Sequence, residues 1–213
     1  MSVKWPRNAM VQSPFLILGL AGGIGSGKSA VAAVLAEMGF VVSDSDAGAR
    51  AVLELPEVAA ELVAALGPGV LDPQGRPDRR AIADAVFADA TKRKALEAIV
   101  HPRLHEQRAG LIEHARSSGA AGVVIDAPLL FEAGVDAQCD AVLYVDAPRD
   151  LRLQRVQEAR GWSEDELDRR EAAQWPLDQK RRRSHAVVVN NGDLDALRRQ
   201  VARALAALGT KSG

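Results

Sequence analysis

Gly22-Gly23-Ile24-Gly25-Ser26-Gly27-Lys28-Ser29 fills every fixed position of G-x-x-x-x-G-K-[ST], and the chemistry this order permits is the binding of a nucleoside triphosphate. Glycines carry no Cβ, so the backbone can turn its N–H groups inward around phosphate oxygens. A lysine in the position of Lys28 reaches the β- and γ-phosphates, and a hydroxyl in the position of Ser29 holds Mg²⁺. Candidate triphosphate contacts are therefore Gly23, Ile24, Gly25, Ser26, Gly27, Lys28, Ser29 and Ala30. The motif needs a strand before it and a helix after it. The apolar run Phe15–Ala21 meets the first need and Ala30–Met38 the second. A helix starting there adds its positive N-terminus to the same point.

Carboxylates stand after two further apolar runs. Val41-Val42-Ser43 leads into Asp44-Ser45-Asp46. On an extended segment, residues two apart face one side, so both carboxylates are expected together. A kinase whose acceptor is an alcohol needs a group to take the hydroxyl proton, worth about 10²–10⁴-fold in rate. A phosphate acceptor is already ionised and needs none. Asp46 is the candidate base, and capping of the next helix is the competing role for both residues. Val123-Val124-Ile125 ends in Asp126, a Walker-B-like position able to hold Mg²⁺ through water. The chain has no Asn-Lys-x-Asp run, so guanine recognition by a switch protein is the poorer reading.

These residues need a scaffold. β-type runs at Phe15–Ala21, Phe40–Ser43, Gly122–Asp126, Ala141–Asp146 and Ala186–Asn190 alternate with helical stretches. That alternation predicts an α/β fold, a five-stranded parallel sheet between layers of helices, with ligands at the strands' carboxyl ends. The core is expected over 15–46, 120–147 and 185–209, within one domain spanning 15–213. A helical insert, about 47–119, would bind the acceptor. In it Val58, Leu62 and Leu66 form one apolar face, and Leu96, Ile99 and Val100 another. His101-Pro102 is expected to interrupt a helix, because a residue before proline is pushed away from the α region. A second insert, about 148–184, is rich in arginine and reads as a helical lid over phosphates. Its Ser163-Glu164-Asp165-Glu166 is a helix-starting capping box, and Trp175-Pro176 ends that helix.

Bulk properties exclude little but consistently. The chain has 213 residues, a net charge of −1 and a single cysteine, Cys139. No strong field favours nucleic acid or anionic membranes, and no intramolecular disulfide can form. No run is long enough for a membrane-spanning helix, and residues 1–14 read as a tail without a signal-peptide core. A cytoplasmic location is expected, as a monomer or small homo-oligomer.

Taken in order, the P-loop, Asp44-Ser45-Asp46, Ile99-Val100-His101-Pro102, Pro128-Leu129-Leu130-Phe131-Glu132, Ala172-Ala173-Gln174, Lys180-Arg181-Arg182-Arg183 and Asn190-Asn191-Gly192 closely resemble the dephospho-coenzyme A kinases. The resemblance runs from Phe15 to about Leu208. It implies ATP-dependent phosphorylation of the ribose 3′-hydroxyl of dephospho-CoA, with Mg²⁺. It assigns Asp46 as the residue that accepts the hydroxyl proton and places Asp44 beside it on the acceptor side. His101, Pro128, Leu129, Leu130 and Phe131 would line the acceptor site, Asn190 and Asn191 the adenine, and Arg155 would face the phosphates. Two departures stand out: Ala30 replaces a usual threonine, and Ala159-Arg160 replaces Arg-Asp before the lid glycine. A kinase of the same build for a nucleoside or sugar, and a nucleotide-dependent switch or ATPase, are the alternatives.

Overall fold

The computed structural model describes residues 15–209, so the expected tail at 1–14 lies outside the described residues. These divide into two compact units, Asp44–Glu113 and the segments on either side of it.

The flanking segments build a parallel sheet. Among the described residues its strands are β1 (Leu16–Gly22), β2 (Phe40–Asp44), β3 (Gly122–Asp126), β4 (Ala141–Asp146) and β5 (Ala186–Val189). They lie in the order β2-β3-β1-β4-β5. β1 is central, pairing Leu20 with Asp126 on one side and Leu143 on the other. Strands this apolar are those buried on both faces. Leu18 and Leu20 join Val124, Leu143 and Val145 in a core closed by α1 (Lys28–Glu37) and α9 (Leu194–Gly209) through Val31, Val34, Leu35, Leu197 and Val201. Gly19, of opposite parity, faces elsewhere: a Cβ there would lie 2.9 Å from both Cys139 Sγ and a Leu130 methyl. The β3–β4 connection thus packs directly on the β1 backbone.

Between β4 and β5 run α6 (Arg149–Arg160), α7 (Glu164–Ala172) and α8 (Leu177–Arg183). Ser163 Oγ accepts from the Glu166 N–H at 3.3 Å, the cap anticipated from the capping box. Gly161 ends α6 at φ 66°, and Pro176 caps α8. α8 packs against β1 and β4.

The unit Asp44–Glu113 holds α2 (Ser45–Leu53), α3 (Pro56–Leu66), α4 (Arg79–Ala88) and most of α5 (Ala90–Ser117). Val58, Leu62, Leu66, Ile99 and Val100 are buried together with Val52, Val70 and Ile82, and Leu96 packs against them. The two apolar faces anticipated from spacing therefore form one core. The break expected at His101-Pro102 does not occur: α5 runs through Pro102 as a helix of 28 residues. Proline removes one backbone donor, but the turns on both sides are held, Ile99 and Val100 by core burial and Arg103 by ion pairing to Glu61 at 2.6 Å and donation to Ile99 O at 2.9 Å.

Candidate functional site

β1 ends at Gly22 and α1 begins at Lys28, so the glycine-rich run is the strand-to-helix connection. Gly27 caps α1 at φ 87°. Its carbonyl accepts from Ala30 N at 3.0 Å and Val31 N at 3.2 Å. Having no side chain, it makes no side-chain cap to the first turn of α1, the helix end that attracts an anion. A Cβ on Gly27 would sit 2.2 Å from Asn190 Nδ2, and the backbone there lies in the left-handed region. Gly27→Ala should thus weaken ATP binding by about tenfold or more, measured calorimetrically. Near-native affinity would show that the loop tolerates the strain.

Lys28 Nζ lies over the start of the loop, donating to Gly22 O at 3.3 Å and Gly23 O at 3.4 Å. Ser29 Oγ donates to Asp126 Oδ2 at 3.3 Å. A hydroxyl and a carboxylate oxygen converge there, the hard-oxygen chemistry that suits Mg²⁺. Ile24, Gly25 and Ser26 complete the loop, whose turn is closed by Ser26 N donating to Gly23 O at 3.1 Å.

Side chains from just after β5 and from α6 brace this loop. Asn190 is buried, and its Nδ2 donates to Ser26 O at 2.8 Å. Its backbone N–H donates to Asp146 O at 2.7 Å, fixing it at the β4 end. Asn191 is exposed beside it. Arg155 Nη1 donates to Gly25 O at 3.3 Å and Ser26 O at 3.2 Å, and Nη2 to Asn190 O at 3.2 Å. Arg155 thus meets the loop through its backbone carbonyls. Ala30 is exposed in the first turn of α1.

The expected geometry of Asp44 and Asp46 needs correction. They do not share an extended segment: Asp44 ends β2, and Asp46 lies in the first turn of α2. Asp44 Oδ1 accepts from Ala47 N at 2.9 Å, the capping role weighed against it from sequence. Both carboxylates are exposed, as is His101 on α5. In the Pro128–Glu132 turn, Pro128 and Leu129 are exposed while Leu130 and Phe131 are buried. The Phe131 ring stacks on Trp175, centroids 6.1 Å apart, with the Arg183 guanidinium over both rings.

Spacing alone left a buried ion pair next to this turn undetected. Lys180 is 1% exposed, and its Nζ lies 2.8 Å from Glu132 Oε1 and 2.9 Å from Gln174 Oε1. Trp175 N also donates to Glu132 Oε1, at 2.9 Å. Burial pushes the Glu132 carboxyl up, but the hydrogen bonds from Lys180 and Trp175 outweigh it and hold the group below its ordinary value. A depressed carboxylate stabilises the fold above its unfolded pKa, and that stabilisation is lost as pH falls through the folded value. Glu132→Gln strands the Lys180 charge and should cost about 3–5 kcal/mol at neutral pH. Urea unfolding should show this gap to wild type shrinking below about pH 4; a gap independent of pH would contradict the ionic account.

The arginine displaced before the lid glycine also has a place. Arg160 and Arg170 lie 4.7 and 4.2 Å from the Trp162 ring centroid, so Arg160 stacks on the α6–α7 turn. α6 further presents Arg152 three residues before Arg155. It donates to Ile24 O at 3.2 Å and pairs with Glu171 of α7. The i, i+3 spacing of the two arginines on one helix face was the available signal.

A glycine loop at the carboxyl end of the central strand of a parallel sheet, a strand-end Asp126 against its serine, and an arginine-rich helical excursion after β4 make this a P-loop protein of the kinase type. A sequence model of the family described as dephospho-CoA kinase matches residues 16–196. The dephospho-CoA kinase of Geobacillus kaustophilus is 44% identical over 187 residues, 87% of this chain and 93% of that protein. A crystal structure from Thermus thermophilus, 41% identical, superposes with a TM-score of 0.77 over 90% of this chain and 97% of its own. The dephospho-CoA kinase of Campylobacter jejuni shares the fold at a TM-score of 0.68 and 20% identity, covering 92% of this chain and 98% of its own. The chain belongs to the dephospho-CoA kinase family. That membership does not favour a kinase for another alcohol or a nucleotide-dependent switch. Among the described residues no helix is long and apolar enough to cross a membrane.

Proposed function

We propose that the chain transfers the γ-phosphoryl group of ATP to the ribose 3′-hydroxyl of dephospho-CoA, giving CoA and ADP. Family membership over 16–196 carries this reading, and the loop geometry supports it. The loop from Gly23 to Ala30 holds the triphosphate, and Lys28 neutralises charge on the transferring phosphoryl. Ser29 and Asp126 would hold Mg²⁺, which when bound would supply charge neutralisation to the triphosphate. Asp46 accepts the 3′-hydroxyl proton as the 3′-oxygen bonds to the γ-phosphorus and the bond to the ADP oxygen breaks.

The supporting residues divide by side. Asn190 and Asn191 flank the adenine, and Arg155 keeps the loop in shape through its carbonyls. Asp44 orients Asp46 by capping α2. His101, Pro128 and Leu129, with the backbone of Leu130 and Phe131, contact the acceptor. The α6–α8 segment closes over the phosphates and excludes water. The single-cysteine composition suits a reducing cytoplasm. Phosphorus–proton correlation NMR of the product tests the regiochemistry. Phosphate coupled to the ribose 3′ proton is expected, and coupling to any other position would reject the stated acceptor.

A further inference from the structure

Arg152 and Glu171 lie on the P-loop and are not used by the mechanism above. Arg152 is 6% exposed, with one Nη1 hydrogen bond to Ile24 O at 3.2 Å and an ion pair to Glu171. A Cβ built on Gly23 would stand 2.7 Å from Arg152 Nη1 and 3.2 Å from Glu171 Oε1. The pair therefore rests on the first turn of the loop. Lys28 Nζ reaches that same end through Gly22 O and Gly23 O. The P-loop lysine serves the β- and γ-phosphates, so Arg152 stands at the terminal-phosphate end. A cavity of about 300 Å³ opens there, with Gly23, Asp146, Arg152 and Arg181 in its lining.

We propose that Arg152 is a phosphate-binding residue for the terminal phosphate of ATP, and that Glu171 competes with that phosphate for its guanidinium. The inference rests on the phosphotransfer reading. A guanidinium presents five N–H donors in a planar fork, and a terminal phosphate offers more charge and more acceptor oxygens than a carboxylate. Exchanging one anion for the other keeps the buried arginine paired throughout, which matters because an unpaired buried charge is costly. α7 stays tethered during the exchange. Arg149 Nη2 bonds Asp168 at 2.7 Å and Glu164 at 2.9 Å, and its Nη1 lies 3.9 Å from Glu171 Oε2, ready to take the released carboxylate. Glu171 thus lowers ATP affinity by the fraction of time that it holds Arg152.

A purely architectural ion pair predicts the opposite response to loss of the carboxylate. ATP and AMP are titrated calorimetrically, with Mg²⁺, into the full-length protein, Glu171→Gln, Glu171→Asp and the double variant Arg152→Gln/Glu171→Gln. Glu171→Gln should tighten ATP binding by about three- to tenfold and leave AMP unchanged. Glu171→Asp, which draws the carboxylate back, should tighten it less. The gain should vanish in the double variant. Unchanged or weaker ATP binding by folded Glu171→Gln or Glu171→Asp would overturn the competition, as would a gain that survives loss of Arg152. If wild type itself fails to bind ATP, the kinase reading falls with it; if wild type binds and the Glu171 variants do not differ, only the competition falls.

Discussion

Lys28→Ala should reduce turnover by about 10³-fold or more, because in the proposed mechanism it deletes the ammonium that neutralises the transferring phosphoryl group. The helix N-terminus and the loop N–H groups remain, so ATP should still bind, more weakly. Folding should be nearly untouched: the Lys28 side chain is only half-buried, and its bonds to Gly22 O and Gly23 O are long. A coupled ADP assay beside a thermal melt separates the two effects. A rate within a few-fold of wild type would remove Lys28 from the chemistry, and a collapsed melt would make the loss structural.

The second large effect is expected from Asp46→Asn. The amide preserves shape but cannot accept the 3′-hydroxyl proton, so kcat should fall by about 10²–10⁴-fold. KM for ATP should stay near wild type, the signature of an interaction made only in the transition state. Asp46 sits in the first turn of α2, where its charge favours the helix by about 0.3–1 kcal/mol, so a small drop in melting temperature is expected. The cap itself is Asp44, which bonds Ala47 N at 2.9 Å. Joint loss of ATP affinity and stability in Asp46→Asn would instead assign Asp46 an architectural role.

The strand-loop-helix unit was legible because each part has a local cause. An apolar run, a glycine cluster and a second apolar run follow one another, and the structure places β1, the loop and α1 there with boundaries shifted by one or two residues. Val58, Leu62 and Leu66 were legible from helical period alone. Pro102 misled, since local preference favours a break while Ile99 and Val100 are held in the core on the preceding turn. Asp46 was placed on an extended segment, though Asp44 is itself a strong cap and starts α2 one residue later. The pairs that brace the site were the least legible. Arg155 meets Gly25 and Asn190 meets Ser26 across more than a hundred residues of sequence, and Lys180 finds Glu132 through packing of α8 on the sheet. No periodicity encodes such contacts; they follow from the topology.

The central claim is that an acceptor hydroxyl on dephospho-CoA drives phosphoryl transfer at this P-loop. ADP release by the purified chain with ATP and Mg²⁺, in the presence and absence of dephospho-CoA and beside adenosine and a panel of sugars, tests it most directly. ADP formation that depends on dephospho-CoA and is matched by equal formation of CoA is the expected result. Stimulation by another alcohol alone, or slow ADP release indifferent to every acceptor, would contradict it.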